Sequence, residues 1–107
     1  MNMSSHSDLK TKIDHLYNWL KANWDRLSDD DKTRGYDALT TLQKQDLADQ
    51  LSHASLPDIT AAIKAMNTAI DGIKQESQKL ATVAQVVGWI ADAASLIEKA
   101  ITSGIPF

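Results

Sequence analysis

The second half of the chain carries a helical pattern of apolar residues that continues almost without a break from residue 58 to residue 101. Apolar side chains recur there at spacings of three and four, the period of one face of an α-helix. The residues that define the pattern are Ile59, Ile63, Met66, Ile70, Ile73, Leu80, Val83, Val87, Ile90, Ala94, Ile97 and Ile101. One helix of this length would extend about 68 Å at 1.5 Å per residue. A compact chain of 107 residues has a radius of gyration of only about 13 Å. The pattern therefore requires either a break or an elongated molecule.

The position of such a break is not obvious from local signals. The stretch KQESQKLAT, residues 74–82, contains no turn residue besides Ser77, and Gly72 and Gly88 are isolated. Local signals therefore favour a continuous helix, whereas compactness favours a break near residues 77–82 or at Gly88 and a folded bundle. Both arrangements stay open, with a slight preference for the bundle.

The first half of the chain begins with one amphipathic helix. Its apolar stripe, widened by Tyr17 and Trp24, indicates a helix that starts near Ser7 or Asp8 and ends near Leu27.

A second helix should follow directly. Ser28 is a suitable N-cap, and Asp29–Asp31 suit the positive end of a helix dipole. The apolar positions of this helix are Tyr36, Leu39, Leu42, Leu47 and Leu51. The apolar face slips between Leu42 and Leu47, which predicts a bend or a short break near Gln43–Asp46.

The segment SHASLPD, residues 52–58, marks the clearest boundary. Pro57 suits the first turn of a new helix, and Leu56 before it should be extended. The fold class is therefore all-α: a small three- to four-helix bundle with a long C-terminal helix or helical hairpin over about 57–103. Residues 1–107 should form a single helical domain, with 1–6 as a flexible N-terminus and 104–107 as a C-terminal tail.

The apolar segment from Leu80 to Ile101 raises the functional question. Its polar residues, including Asp92, Ser95 and Lys99, fall on one narrow stripe, and the remaining circumference is Ala, Val, Ile and Leu. The favoured interpretation is the central helix of the bundle. A surface for self-association or for a partner helix is the second interpretation. A simple transmembrane helix is disfavoured, because a span needs about 20 apolar residues and Asp92 interrupts this one.

The predicted function is non-enzymatic: protein binding, or homo-oligomerisation, through the apolar C-terminal helix. The candidate interaction residues, for protein or lipid, are Val83, Val86, Val87, Trp89, Ile90, Ala94, Ile97 and Ile101. Trp19 and Trp24 are candidates for an aromatic contact, with Trp19 and Trp89 expected to be partly exposed.

The alternative function is membrane activity. A long amphipathic helix that runs into an Ala/Val/Ile-rich segment, over residues 58–101, resembles the pattern of α-helical pore-forming toxins. The resemblance rests on composition and period and not on a specific motif. It implies a protein that hides residues 80–101 in solution and exposes them to lipid. A small enzyme with no identifiable site is the third alternative.

Composition narrows the remaining classes. The net charge is −3, without a basic patch, so nucleic acid is not an expected partner. The chain lacks cysteine, and the histidines have no metal-ligand spacing. Asp29–Asp31 do not continue into a calcium-binding loop, since Arg34 stands where that loop needs glycine. Neither a metal nor a cofactor is predicted. The N-terminus shows no cleavable signal peptide, so we expect a cytoplasmic protein or export by a route without one.

Overall fold

The computed structural model describes residues 6–103, and every regular element in that range is helical. Five α-helices follow one another: α1 (His6–Ala22), α2 (Asp29–Leu42), α3 (Leu47–Ser52), α4 (Leu56–Ser77) and α5 (Val83–Ser103). A short 3-10 turn, Trp24–Arg26, lies between α1 and α2. The predicted all-α bundle is confirmed, with residues 56–103 folded as a helical hairpin. The predicted flexible N-terminus, apart from His6, and the tail 104–107 lie outside the described residues.

The four long helices form the bundle, and each packs against two others. α4 packs on α5 and α1, while α2 packs on α5 and α1, so the order around the bundle is α1–α2–α5–α4. The short α3 contacts α1 and α5 and carries the chain across the diagonal from α2 to α4. The radius of gyration is 13.4 Å, which agrees with a folded hairpin and excludes the elongated arrangement.

Because α3 crosses a diagonal, some neighbouring helices are parallel. Arg34 lies beside Gly88, and Lys44 pairs with Glu98 farther along both helices, so α2 and α5 run in the same direction. Arg26 pairs with Glu76, and Lys12 contacts Asn67, so α1 and α4 are parallel as well. The α1–α2 and α4–α5 pairs are the antiparallel ones. The fold therefore consists of two hairpins joined side by side.

The core is centred on α5. Fully buried residues on this helix include Val86, Val87, Ile90, Ala93, Ile97 and Ala100, each with 0% of its surface exposed. Leu9, Leu16 and Leu20 of α1, Leu51 of α3 and Met66 of α4 are buried to the same degree. The many alanines allow close helix approach. Burial of a large apolar side chain contributes roughly 1.5–3 kcal/mol, and this cluster therefore supplies much of the stability.

Two predicted helix starts are confirmed by their caps. The Ser28 hydroxyl accepts from the Asp31 amide at 3.1 Å, and the Ser55 hydroxyl accepts from the Asp58 amide at 3.4 Å. These bonds satisfy amides that have no partner within the helix. The expectation that Leu56 is extended is wrong. Ser55 is the extended residue and Leu56 is already helical, because the cap places the boundary one residue earlier.

The α4–α5 connection replaces the continuous helix that local signals favoured. Lys79 adopts a left-handed conformation with φ 62°, where glycine is usual. The Leu80 amide donates to the Gln75 carbonyl at 2.8 Å, and the Lys79 amide to the Glu76 carbonyl at 3.0 Å, which forms a Schellman-type end. The next helix is capped by reciprocal bonds between Thr82 and Gln85, at 2.8 Å and 3.1 Å.

Two further boundaries concern the first half of the chain. The predicted break near Gln43–Asp46 is confirmed, and Asp46 there has φ 58°. The α1 helix ends at Ala22, earlier than the predicted Leu27, and the chain continues as the 3-10 turn; the Asn23 side-chain amide donates to the Trp19 carbonyl at 2.9 Å at this end.

Candidate functional site

The structure places most of the predicted contact residues inside the bundle. Buried members of the set are Val86, Val87, Ile90, Ala94, Ile97 and Ile101. Val83 and Trp89 are partly buried and pack against the core. In the closed bundle α2, α3 and α4 cover this side of α5, as the favoured interpretation of a central helix predicts, so these residues form no accessible surface there.

Trp89 is held by an unusually close contact between helices. A Cβ atom built on Gly72 would lie 2.2 Å from Trp89 Cε3 and 2.5 Å from Cζ3. The indole ring therefore rests directly on the backbone of α4. Gly72 in the middle of a helix is explained by this packing rather than by a need for a bend.

Of the other two tryptophans, Trp19 differs from expectation, whereas Trp24 packs against the core as its place on the apolar stripe predicts. Trp19, predicted to be partly exposed, is buried with 9% of its surface exposed. Trp24 is partly buried, and its Cζ3 would lie 3.1 Å from a Cβ on Gly35 of α2. Because α1 is covered by α2, α3 and α4, its buried face is wider than one stripe. Neither residue is an exposed aromatic contact.

An open groove with a volume of about 960 Å³ lies between α2 and α5. Its floor is made of small side chains, among them Ala38, Ala91 and Ala94. Tyr36 stands at the groove with 65% of its surface exposed, although its position in the sequence predicts an apolar, core-facing role. The groove thus combines a shallow apolar floor with an exposed aromatic ring.

Charged side chains surround this floor. Arg34, Asp37, Glu98 and Lys99 line the groove, two of each sign. Lys44 reaches the Glu98 carboxylate at 2.7 Å across the lower end of the groove, and Arg34 bonds Asp31 at 2.5 Å. The exposed stripe predicted for α5 is confirmed, since Asp92, Ser95 and Lys99 all lie in solvent. The outside of α5, rather than its buried side, is the surface available to other molecules.

The lower end of the groove is fixed by a contact between the two ends of the α4–α5 hairpin. The Ser103 hydroxyl donates to Asp58 Oδ2 at 2.8 Å. This bond lowers the pKa of the Asp58 carboxyl below its usual value, with smaller contributions from a hydrogen bond with Ser55 and from the charge of Lys99. The carboxylate form of Asp58 therefore joins the start of α4 to the end of α5.

The structure also bears on metal binding and on membranes. His15 and His53 are exposed. In residues 6–103, no group of three His, Cys, Asp or Glu side chains is placed to hold a metal ion. None of the helices described here combines the length and apolar character that a membrane crossing requires.

No protein-family model matches this chain, and neither a curated protein nor a solved structure shows significant similarity to it.

The sequence interpretation missed the groove itself. Neither the apolar period nor the composition indicates that α2 and α5 lie parallel, since that follows from the path of α3. One available signal was the seven-residue spacing of opposite charges: Asp37 on α2 with Lys44 in the turn after it, and Asp92 with Lys99 on α5. Such spacing puts both charges of a pair on the same side of a helix.

Proposed function

We propose that this chain is a non-enzymatic, protein-binding helical bundle whose contact surface is the groove between α2 and α5. The observation that carries the proposal is the groove's construction: an alanine-rich floor, an exposed Tyr36 and a rim of charges. Protein interfaces commonly have an apolar centre and a polar rim, and tyrosine and arginine are enriched in them. The proposal moves the predicted binding surface from the buried side of α5 to its outer side.

The ionic groups of the groove support binding rather than chemistry on a substrate. Lys44 and Glu98 are paired with each other at the surface of the protein, whereas the half-exposed Arg34 is paired with Asp31, which is buried. Exposed ion pairs are worth only about 0–1 kcal/mol, so they can exchange partners at little cost. This property suits a rim that sets the orientation of a docking protein.

The absence of cysteine in the sequence gives a direct experiment. A single cysteine is introduced in the groove (Thr40→Cys) or on the outer side of α1 (Asn18→Cys), and each variant is loaded with a thiol-reactive photo-crosslinker. Both positions are exposed. After irradiation in extracts of the cells that produce the chain, we expect a crosslinked protein product from the groove position and none from the α1 position. The crosslinked protein can be a second copy of this chain.

The control for this experiment removes the aromatic ring. Tyr36→Asp in the Thr40→Cys background should abolish the adduct while leaving the helical circular dichroism spectrum unchanged, because Tyr36 is mostly exposed. Equal adducts from both cysteine positions, or no adduct from either, would contradict the proposed function.

Membrane activity is a second candidate, and one observation favours it. Leu80, at the tip of the α4–α5 hairpin, has 72% of its surface exposed next to Lys79. An exposed leucine beside a lysine can insert into the interface of an anionic bilayer. Flotation with anionic liposomes tests this, and Leu80→Asp should abolish it. Leu56→Asp is the matched control, since Leu56 is 74% exposed at the other end of α4. A wild-type chain that stays in solution excludes this candidate.

A further inference from the structure

We propose that the α2–α5 groove face is an isologous interface between two copies of this chain. The two-fold axis would cross α2 between Thr40 and Thr41 and α5 near Ser95. This inference rests on the proposed function, because it names the protein that occupies the groove.

The first argument is charge complementarity of the face with itself. Asp37 and Lys44 lie seven residues apart along α2 and the turn that follows it, and Asp92 and Lys99 lie seven residues apart along α5. All four side chains are exposed. A two-fold axis perpendicular to the helices makes each helix antiparallel to its copy. Asp37 then faces Lys44 of the second copy, and Asp92 faces Lys99 of the second copy.

The second argument is that one axis satisfies both helices. The Lys44–Glu98 pair joins residues 54 apart in sequence. Arg34, whose Nη1 would lie 3.4 Å from a Cβ built on Gly88, has the same offset from that residue. The midpoint of Asp37 and Lys44 is therefore level with the peptide between residues 94 and 95 of α5. The midpoint of Asp92 and Lys99 falls only one residue lower, about 1.5 Å along the helix. A single axis thus creates four ion pairs.

The third argument is the shape of the face. Tyr36 projects from the upper half of the groove with 65% of its surface exposed. In the lower half α2 has ended at Leu42, whereas α5 continues to Ser103, so the groove is bounded there on the α2 side only by the turn that carries Lys44. The same axis carries Tyr36 of the second copy, about 7 Å from the axis along the helix, into this lower half, level with Lys99. The face therefore contains both the projection and the space that receives it.

The intrachain contacts permit this arrangement. Lys44 has three N–H donors, so it can keep its bond to Glu98 and also bind Asp37 of the second copy. The four charged residues that line the groove, Arg34, Asp37, Glu98 and Lys99, sum to zero. Two copies of this face are therefore not repelled, although the whole chain carries a net charge of −3.

The size of the face determines the strength of association. Two adjacent helices give a patch about 20 Å wide and 20 Å long, with an area of roughly 400 Å². A standard stable interface buries about 800 Å² on each partner, about twice as much. We therefore expect a reversible dimer with a Kd between about 10 μM and 1 mM. The Kd should rise with salt, because exposed ion pairs are screened.

Sedimentation velocity of the full chain from about 10 μM to 1 mM measures this association. Asp92→Lys places like charges opposite each other on both sides of the axis, and we expect the Kd to rise at least about tenfold. The double variant Asp92→Lys/Lys99→Asp restores opposite charges and should return the Kd to within about threefold of wild type. Asp71→Lys, an exposed position on α4, is the matched control for net charge and should leave the Kd unchanged.

Each outcome decides the inference. Association of the wild type with loss in the single variant and recovery in the double variant supports it, provided that thermal unfolding shows all variants folded. A monomer over the whole range, a double variant that fails to recover, or an Asp71→Lys variant as weak as Asp92→Lys overturns it. A monomer whose groove cysteine still gives an adduct with a different protein overturns this inference alone and leaves the proposed function intact.

Discussion

Replacing Gly72 with alanine tests the closest helix contact in the bundle. On an exposed helix this substitution would stabilise the protein by about 0.8–1 kcal/mol, because alanine has the higher helix propensity. In this structure the added methyl carbon would lie 2.2 Å from Trp89 Cε3, 2.5 Å from Cζ3 and 3.3 Å from Cδ2. Ordinary carbon contacts are about 3.5–4.0 Å. The ring or one of the helices must therefore move by more than about 1 Å.

The magnitude follows from these opposing terms. Overpacking in a well-filled interior costs about 1–3 kcal/mol and occasionally more, and the overlap with an aromatic ring on an adjacent helix belongs at the upper end. After the gain in helix propensity, we expect Gly72→Ala to reduce the free energy of unfolding by about 1–2 kcal/mol. The melting temperature should fall by roughly 5–15 °C for a domain of this size.

Urea unfolding followed by far-ultraviolet circular dichroism measures the change, and Gly88→Ala is the matched control. A Cβ at Gly88 would meet only the flexible end of Arg34, at 3.4 Å. That variant should gain about 0.5–1 kcal/mol from helix propensity. Glycine-to-alanine substitution is thus predicted to lower the free energy of unfolding at Gly72 on α4 and to raise it at Gly88 on the facing helix α5.

A second variant separates the ring contact from other effects. Trp89→Leu removes the atoms that the new methyl group would strike, so adding Gly72→Ala to Trp89→Leu should cost less than adding it to the wild type. The coupling energy between the two sites should be about 1 kcal/mol or more. If Gly72→Ala stabilises the protein as much as Gly88→Ala does, the indole does not rest on the α4 backbone and the reasoning is refuted.

Three further predictions concern the turn, the core and the hairpin ends. Lys79→Gly should raise the free energy of unfolding by about 0.5–1 kcal/mol, because Lys79 has φ 62° and glycine adopts this conformation without strain; an unchanged urea midpoint would contradict it. Val87→Asp should abolish cooperative unfolding and most helicity, because Val87 is 0% exposed and an unpaired buried charge costs several kcal/mol; a folded variant would show that this side of α5 is accessible. Ser103→Ala should raise the pKa of Asp58 toward its usual value, since the Ser103 hydroxyl is the main cause of the lowered pKa, and carbon-detected titration of the Asp58 carboxyl measures it. Because the folded pKa is the lower one, the stability that Asp58 contributes is present above its unfolded pKa and is lost as the pH falls through the folded pKa; the stability difference between wild type and variant should disappear in acid.

Helix starts could be predicted from sequence because their causes are local. A serine hydroxyl that caps the amide three residues later defines α2 at Ser28 and α4 at Ser55, and both signals are readable in a few letters. The turn between α4 and α5 was harder because Lys79 occupies the position that glycine normally marks. The readable signal there was the reciprocal cap of Thr82 and Gln85.

The candidate site required information that no local pattern contains. Periodicity identifies the apolar side of α5, but it does not tell whether that side meets the rest of the chain or another molecule. Here three other helices cover it, and the predicted contact residues become core. Tyr36 shows the reverse case. It belongs to the apolar pattern of α2, yet 65% of its surface is exposed, because α5 lies to one side of it.

The charges of the groove face show why the sequence predicts the fold but does not predict the proposed contact surface. Asp37 with Lys44, and Asp92 with Lys99, are visible in the sequence as two unrelated pairs. Their midpoints coincide only after the Lys44–Glu98 contact sets α2 and α5 parallel with an offset of 54 residues. That offset depends on α3, a helix of six residues that lies outside the groove. A change in α3 that shifted α2 by one turn would move its charges about 5.4 Å relative to those of α5. The two helices would then no longer share one two-fold axis, although every residue of the face would be unchanged.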